Sequence, residues 1–275
     1  MTVLLGLWFS LAIGVSDYFG GYVTRRSHAF ATVANAAMAG SVVAAVMLVV
    51  VPSEYDSRSL LMGLASGAAL GFALSAMYRG LTLSSAAVVS PIVAVLAAAI
   101  PVGWDVATGG AMPGLAVLGA AVAMIGLVFT TVSPELGDRV KVGVRWATLA
   151  GVLFGAALTL VGRTGEESGL WPVVGQRGAA AVVLAVAATS AGQPIAVPAD
   201  LRRFAWLSGG VGATGVAAFA VGAQGGSLAE ITVASSMFPA VTAVLSTVFD
   251  AHPMRWWQFA GIGGSIAGVT LIGLS

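Results

Sequence analysis

The sequence contains no cysteine among its 275 residues, so disulfides, thiolate metal sites and thiol nucleophiles are all excluded. Charge is nearly as scarce: Asp, Glu, Lys and Arg together make 8% of the chain, where a water-soluble domain carries roughly a quarter. Too few polar side chains remain to wet the surface of a soluble fold. The two histidines, His28 and His252, stand far apart at the edges of apolar runs, and no H-E-x-x-H motif occurs. There is no G-x-x-x-x-G-K-[S/T] loop for nucleotide hydrolysis either. A net charge of +1 gives no footprint for nucleic acid.

What is present is apolar. Hydrophobic residues make 58% of the chain and the mean hydropathy is +0.98. Runs of about twenty such residues, bounded by charges or turn residues, predict an all-α integral membrane protein with ten spans. The spans fall near 3–23, 29–51, 59–78, 82–101, 112–132, 146–162, 170–190, 205–224, 231–249 and 256–274. The links are short, so no soluble domain is inserted. The first span opens at Val3 without a charged n-region, which argues against a cleavable signal peptide. Thirty-seven glycines suit helices that pack closely in lipid, and Gly63, Gly67 and Gly71 form a small-residue track along one face of the third span. The tryptophans, among them Trp171, Trp206, Trp256 and Trp257, fall mostly at span ends, as interface anchors do.

The chain echoes itself. AMYRGLTLSS followed by AAVVSPIVAVLAAAI, from Ala76 to Ile100, is answered by QGGSLAEITVASSMFPAVTAVLSTVF further on, with Pro239 where the first copy has Pro91. A proline inside an apolar helix frees a carbonyl and bends the helix, so both prolines are expected at bends. GAAVAMIG in the fifth span is answered by GIGGSIAG in the tenth, with a register six residues shorter. The longer link VGWDVATGGAM, against DAHPMR, accounts for the difference. The charged link SPELGDRVKVGVR divides two sets of five spans: 1–132, a connecting loop 133–145, and 146–275. Five is odd, so homologous halves would enter the bilayer in opposite senses as an inverted repeat. Gly/Ala-rich spans also align readily by chance, which leaves the repeat an expectation.

Nine Lys and Arg residues fall in links 1, 3, 5, 7 and 9, against Arg58 and Arg163 on the other side. The positive-inside bias therefore puts both termini outside the cytoplasm.

Few residues could carry chemistry at membrane depth. Asp17 lies within the first span, where a charge costs upward of about 2.5 kcal/mol unless it faces a cavity or partner. It is read either as a proton, cation or substrate site, or as a carboxylate wetted at the interface. Arg177, inside the seventh span, either grips an anionic group or bonds free carbonyls. Helix rise places the two about 5–6 Å from mid-bilayer on opposite sides, so a direct salt bridge is not expected. Gln176 beside Arg177 offers a donor and an acceptor. Tyr78 and Arg79 mark the hinge between spans three and four, Glu230 the hinge between eight and nine, and Gln224 stands just before it. Each is a gating or pathway candidate, or else a solvated turn residue. Ser90 before Pro91 is expected to rebond the freed carbonyl, whereas Ser235 and Ser236 before Pro239 are better placed to line a pocket.

These segments resemble the EamA-type members of the drug/metabolite transporter superfamily. IGVSDYF at 13–19 resembles the family's W-G-x-x-F/Y pattern with Ile13 in place of the aromatic residue. AMYRGLTLSSAAVVSPIVAVLAA resembles its tyrosine hinge, small residues, Ser-Pro and apolar run. Arg177 is similar to the arginine of its seventh span, and QFAGIGGSIAGVTLIGL to its last span. The chain departs in lacking the Gly-Glu pair expected after spans four and nine, where Asp105 and the region Asp250 to His252 stand. Members more often keep their termini cytoplasmic, against the charge count. The resemblance implies a multi-pass protein of the plasma membrane that exports or takes up small metabolites, such as amino acids or their relatives, by alternating access. No catalytic residue and no cofactor is implied.

The residues alone point the same way: a secondary transporter with a central cavity where spans 1, 3, 4, 6, 8 and 9 meet, spans five and ten peripheral, and possible coupling to protons. The working unit would be a monomer or homodimer in the lipid bilayer. A non-transporting scaffold or receptor is the alternative, and it would have little extramembrane surface to work with. An intramembrane enzyme would need paired carboxylates or a nucleophile beside a base, and Asp17 is the sole deep carboxylate.

Overall fold

The computed structural model describes residues 1–83, 86–110, 113–131, 140–249 and 256–273. Among these the regular structure is helical: α1 (Thr2–Thr24), α2 (Ala29–Met47), α3 (Ser57–Leu83), α4 (Ala86–Ala107), α5 (Gly114–Thr131), α6 (Val140–Gly162), α7 (Trp171–Ser190), α8 (Ala199–Gln224), α9 (Leu228–Ser235), α10 (Phe238–Phe249) and α11 (Trp256–Gly273). A short 3-10 turn, Glu166–Ser168, precedes α7. Seven stretches are long and apolar enough to cross a membrane, the broken ninth span Leu228–Phe249 among them. The chain is a multi-pass membrane protein.

The helices outrun the apolar runs that announce them. α6 begins at Val140 rather than near 146, and α8 at Ala199 rather than 205. Hydropathy stops at Lys141, Arg145, Arg202 and Arg203, but hydrogen bonding does not, and such side chains continue a helix into the headgroup layer. At the start of α3, Asp56 accepts from the backbone N–H groups of Arg58 and Ser59 at 3.1 and 2.9 Å. Hydrogen bonds from Ser59, side chain first and backbone next, hold its carboxyl below the ordinary value.

The prolines behave differently. α4 runs unbroken through Pro91, whereas the ninth span is interrupted at Ser236 and Met237, just before Pro239. Pro239 has no N–H to offer the carbonyl of Ser235. The Ser10 hydroxyl on α1 donates to the carbonyls of Ala234 and Ser235 at 2.9 and 2.8 Å, and the Ser236 hydroxyl to that of Val233 at 2.7 Å.

Among the described residues, packing forms a closed ring of eight helical segments: the seven long apolar stretches and α4, whose apolar stretch is shorter. In order, α1 packs on α8, α8 on α2, α2 on α7, α7 on α3, α3 on α6, α6 on α4, α4 on α9, and the α9–α10 span back on α1. The fifth and tenth spans, α5 and α11, pack chiefly on each other outside this ring. Directions follow from the neighbours of glycines. α1 runs with the ninth span (Gly6 at Ile231 and Ala234, Gly14 at Phe238 and Val241), α6 with α4, α7 with α3 and α2 with α8. α1 runs against α8, α3 against α6, α5 against α11, and the end of α4 meets the start of α9. Followed round the ring, each span lies antiparallel to the one five places later.

Two Ser-Gly pairs lock the ring. On α3, the Ser66 hydroxyl donates to Ala157 O of α6 at 2.6 Å. A Cβ on the next residue, Gly67, would collide with the backbone carbonyl of Gln176 on α7. On α8, the Ser208 hydroxyl donates to Ser16 O of α1 at 2.7 Å, and a Cβ on Gly209 would collide with the carbonyl of Ala36 on α2. In each case one residue bonds to one neighbour while the next lets the other neighbour's backbone touch its own, the closeness that helices in lipid rely on. Gly67→Val is expected to overpack the α3–α7 contact and cost roughly 3 kcal/mol or more. Thermal melting of detergent-purified protein would read this as a clear fall in Tm, with an exposed Gly263→Val change as the silent control, since a Cβ there meets nothing.

Candidate functional site

The links after even-numbered spans gather at one end of the bundle with Glu54, Asp56, Asp105, Glu166, Glu167 and Glu230; the other end carries Arg25, Arg26, Arg79, Lys141, Arg145, Arg202 and Arg203. We call them the acidic and basic ends. The acidic end is shut. Phe9 and Phe219 meet with ring centroids 5.5 Å apart, inside a buried apolar cluster with Val161, Leu170, Val173 and Ile231. Here α6 and α8 cross the ring and touch. Links knot around this plug: Leu170 N–H donates to Ser53 Oγ at 3.0 Å and Gly165 N–H to Ser59 Oγ at 3.2 Å. A shallow pocket of about 390 Å³ lined by Pro52, Ser53, Glu54, Glu166 and Glu167 lies on the outer side.

Between plug and basic end the ring holds three of the expected side chains. Asp17 on α1, Tyr78 on α3 and Arg177 on α7 lie within electrostatic reach of one another, with Asp17 acting on both of the others. Yet α1 packs extensively on neither α3 nor α7. Asp17 is exposed, and Tyr78 and Arg177 are half-buried. The three are thus near one another without an extensively packed seam between α1 and the other two helices. A charge at this depth is tolerated where it faces a cavity or a partner.

Arg177 is placed by two glycines. A Cβ on Gly40 of α2 would stand 3.2 Å from its Cδ, so the bare backbone there leaves room for the aliphatic stem. Beyond it, Arg177 Nη2 donates to Gly212 O on α8 at 2.8 Å, and its Nε has no partner. Gly212 adjoins Ser16, the residue before Asp17. The arginine thus bonds a carbonyl and also turns its charge toward Asp17, although among the described residues the two form no direct ion pair. The carbonyl is in mid-helix rather than at a helix end. Tyr78 stacks edgewise on Phe30, and the buried Thr24 Oγ1 lies next to the phenol.

The other expected residues go elsewhere. Gln176, 2% exposed, donates to Ser66 Oγ at 2.8 Å and leaves its Oε1 unsatisfied between α7 and α3. Gln224 donates to Thr164 Oγ1, Ser168 Oγ and Gly169 O at 2.9, 3.4 and 3.1 Å, fastening α8 to the link before α7. Ser235 is buried at the break in the ninth span with its hydroxyl free of partners. Arg79 is exposed at the basic end, and Glu230 N–H donates to the capping hydroxyl of Ser227 at 3.3 Å. Ser90's side chain lies outside the described residues, as do those of Pro91 and Pro239 and the whole of Asp250 to His252. Sequence reasoning passed over Ser10, Ser16, Ser66 and Ser208, because serine is common in such spans and only the packing says which ones meet a carbonyl.

Residues 141–274 match the EamA-like transporter family. Twenty-nine solved chains match in fold. One, a crystal structure described only as a protein, superposes with a TM-score of 0.78 at 16% identity, covering 99% of this chain and 96% of that one, a likeness of fold alone. No curated protein matches. The family match covers 134 of the 275 residues, all in the second half, and is consistent with the drug/metabolite transporter superfamily.

Arg177→Ala is expected to lose a hydrogen bond worth roughly 1 kcal/mol and most of any stabilisation by small carboxylates. Melting of the purified protein with and without a carboxylate panel separates the two effects.

Proposed function

We propose that this protein is a secondary transporter of the plasma membrane, working by alternating access between two inverted five-span halves. One observation carries the reading. Exchanging each span with its counterpart five places away turns every ring contact into another ring contact, and every counterpart pair runs antiparallel. The matching Ser66-Gly67 and Ser208-Gly209 devices support the same register. Such a scaffold has two related arrangements, open at one end or at the other. The contact of α6 with α8 at the acidic end, with no comparable one between α1 and α3 among the described residues, supports a conformation open toward the basic end. By the distribution of Lys and Arg, the basic end faces the cytoplasm.

The cargo we infer is a small metabolite with both charges, an amino acid or a relative. Asp17 offers a carboxylate to an ammonium, and Arg177 a guanidinium to a carboxylate, each having kept free capacity because the two do not pair with each other. Tyr78 adds a ring and a hydroxyl at the basic side. The open face toward the cytoplasm fits export, with a proton on Asp17 as the coupling ion.

Flux of labelled amino acids into proteoliposomes tests this. Asp17→Asn is expected to cut flux at least about tenfold while melting stays unchanged, and to abolish the dependence of the remaining rate on pH. An unchanged rate and pH profile would remove Asp17 from the mechanism, and no flux across a broad panel for the unaltered protein would count against a transporter.

A further inference from the structure

At the shut end one carboxylate joins the two halves. Asp105 stands near the end of α4, in the first half, with its side chain only 13% exposed. Its Oδ2 accepts from the backbone N–H of Ala229 at 3.2 Å and from the Ser227 hydroxyl at 3.3 Å, both at the start of α9 in the second half. Its Oδ1 lies 3.8 Å from Arg163 Nη1, just beyond α6, also in the second half. The N-terminal end of α9 carries partial positive charge, so a carboxylate there is favoured by the helix as well as by the arginine. Gly110 N–H donates to Asp105 O at 2.9 Å and fixes the turn that presents the side chain. By contrast, the Gln224 bonds at the same end join parts of the second half to each other.

We propose that Asp105 is a latch holding the acidic end closed, released when α9 and Arg163 draw away from α4 in the opposite conformation. A carboxylate suits this role. It is tightly held when its three partners converge, and it is readily hydrated when they part, because Arg163 beside it is already exposed. The proposal rests on the transporter reading, since a latch has a use only where the end opens.

The absence of cysteine makes the test direct. A single reporter, Val161→Cys, places a thiol in the plug, where Val161 is fully buried. Its alkylation by a membrane-impermeant maleimide, with no solute present, reads how often the acidic end opens. Adding Asp105→Asn keeps the size and one acceptor but removes the charge, and is expected to raise the alkylation rate about tenfold or more. Ser227→Ala should raise it by less, since the Ala229 and Arg163 contacts remain. A second reporter, Ala205→Cys, sits buried near the basic end and should not react faster. An unchanged Val161→Cys rate in Asp105→Asn overturns the latch, and so does a rise matched at Ala205→Cys, which would mean general loosening. Flux is measured separately: faster opening in a protein that carries no solute leaves the latch standing and removes the transporter reading.

Discussion

Lipid gives helices no hydrophobic reason to associate, so a bundle in a membrane is held by how closely its backbones approach and by which polar groups they share. Here that constraint is met at two short places. Gly67 lets α3 touch α7 at the Gln176 carbonyl, and Gly209 lets α8 touch α2 at the Ala36 carbonyl. The serine before each glycine bonds across to the remaining neighbour, α6 or α1. These four contacts close half of the eight-membered ring. A ring that size, held at its rim, has an interior to fill, and the side chains available decide whether it fills with hydrocarbon or with water.

The halves give different answers at the two ends. In the register set by the Ser-Gly pairs, Asp17 corresponds to Leu158, Tyr78 to Ala220 and Arg177 to Ala37. Leu158 and Ala220 belong to the apolar plug, and Ala37 is buried among Ala34, Ala180 and Leu184. Asp17 and Tyr78 have counterparts in the plug at the acidic end, whereas the counterpart of Arg177 is buried in the seam between α2 and α7. The packing of the spans is paired and these side chains are not, which fits the proposal of a single site within two related halves.

Much of the architecture was legible in the sequence because lipid makes polar residues expensive and therefore conspicuous. Asp17 and Arg177 stand out for that reason and Tyr78 as a hinge residue, and the three lie within electrostatic reach of one another. Gln224 stood out equally, yet it fastens a link, since an amide near a span end is cheap to satisfy locally. The proline echo located a real break at Ser236 and Met237, although α4 passes through Pro91 without one. The sequence could not tell which serines among many meet a carbonyl, or that the Arg177 stem needs Gly40, because both depend on the neighbour that faces them. Asp105 was visible only as a departure from the family's Gly-Glu pair; its partners at Ser227, Ala229 and Arg163 are set by the way the halves meet.

Transport by this route requires that the ring enclose water-accessible space reached from the basic end, with Asp17 on its wall. The most direct measurement replaces that residue with a thiol, Asp17→Cys, and follows its reaction with a small impermeant thiosulfonate in vesicles of known orientation. Rapid modification is expected from the face that carries Arg25, Arg79 and Arg202. A thiol that stays unreactive from both faces would mean that position 17 is sealed in protein or lipid, and the account would be contradicted.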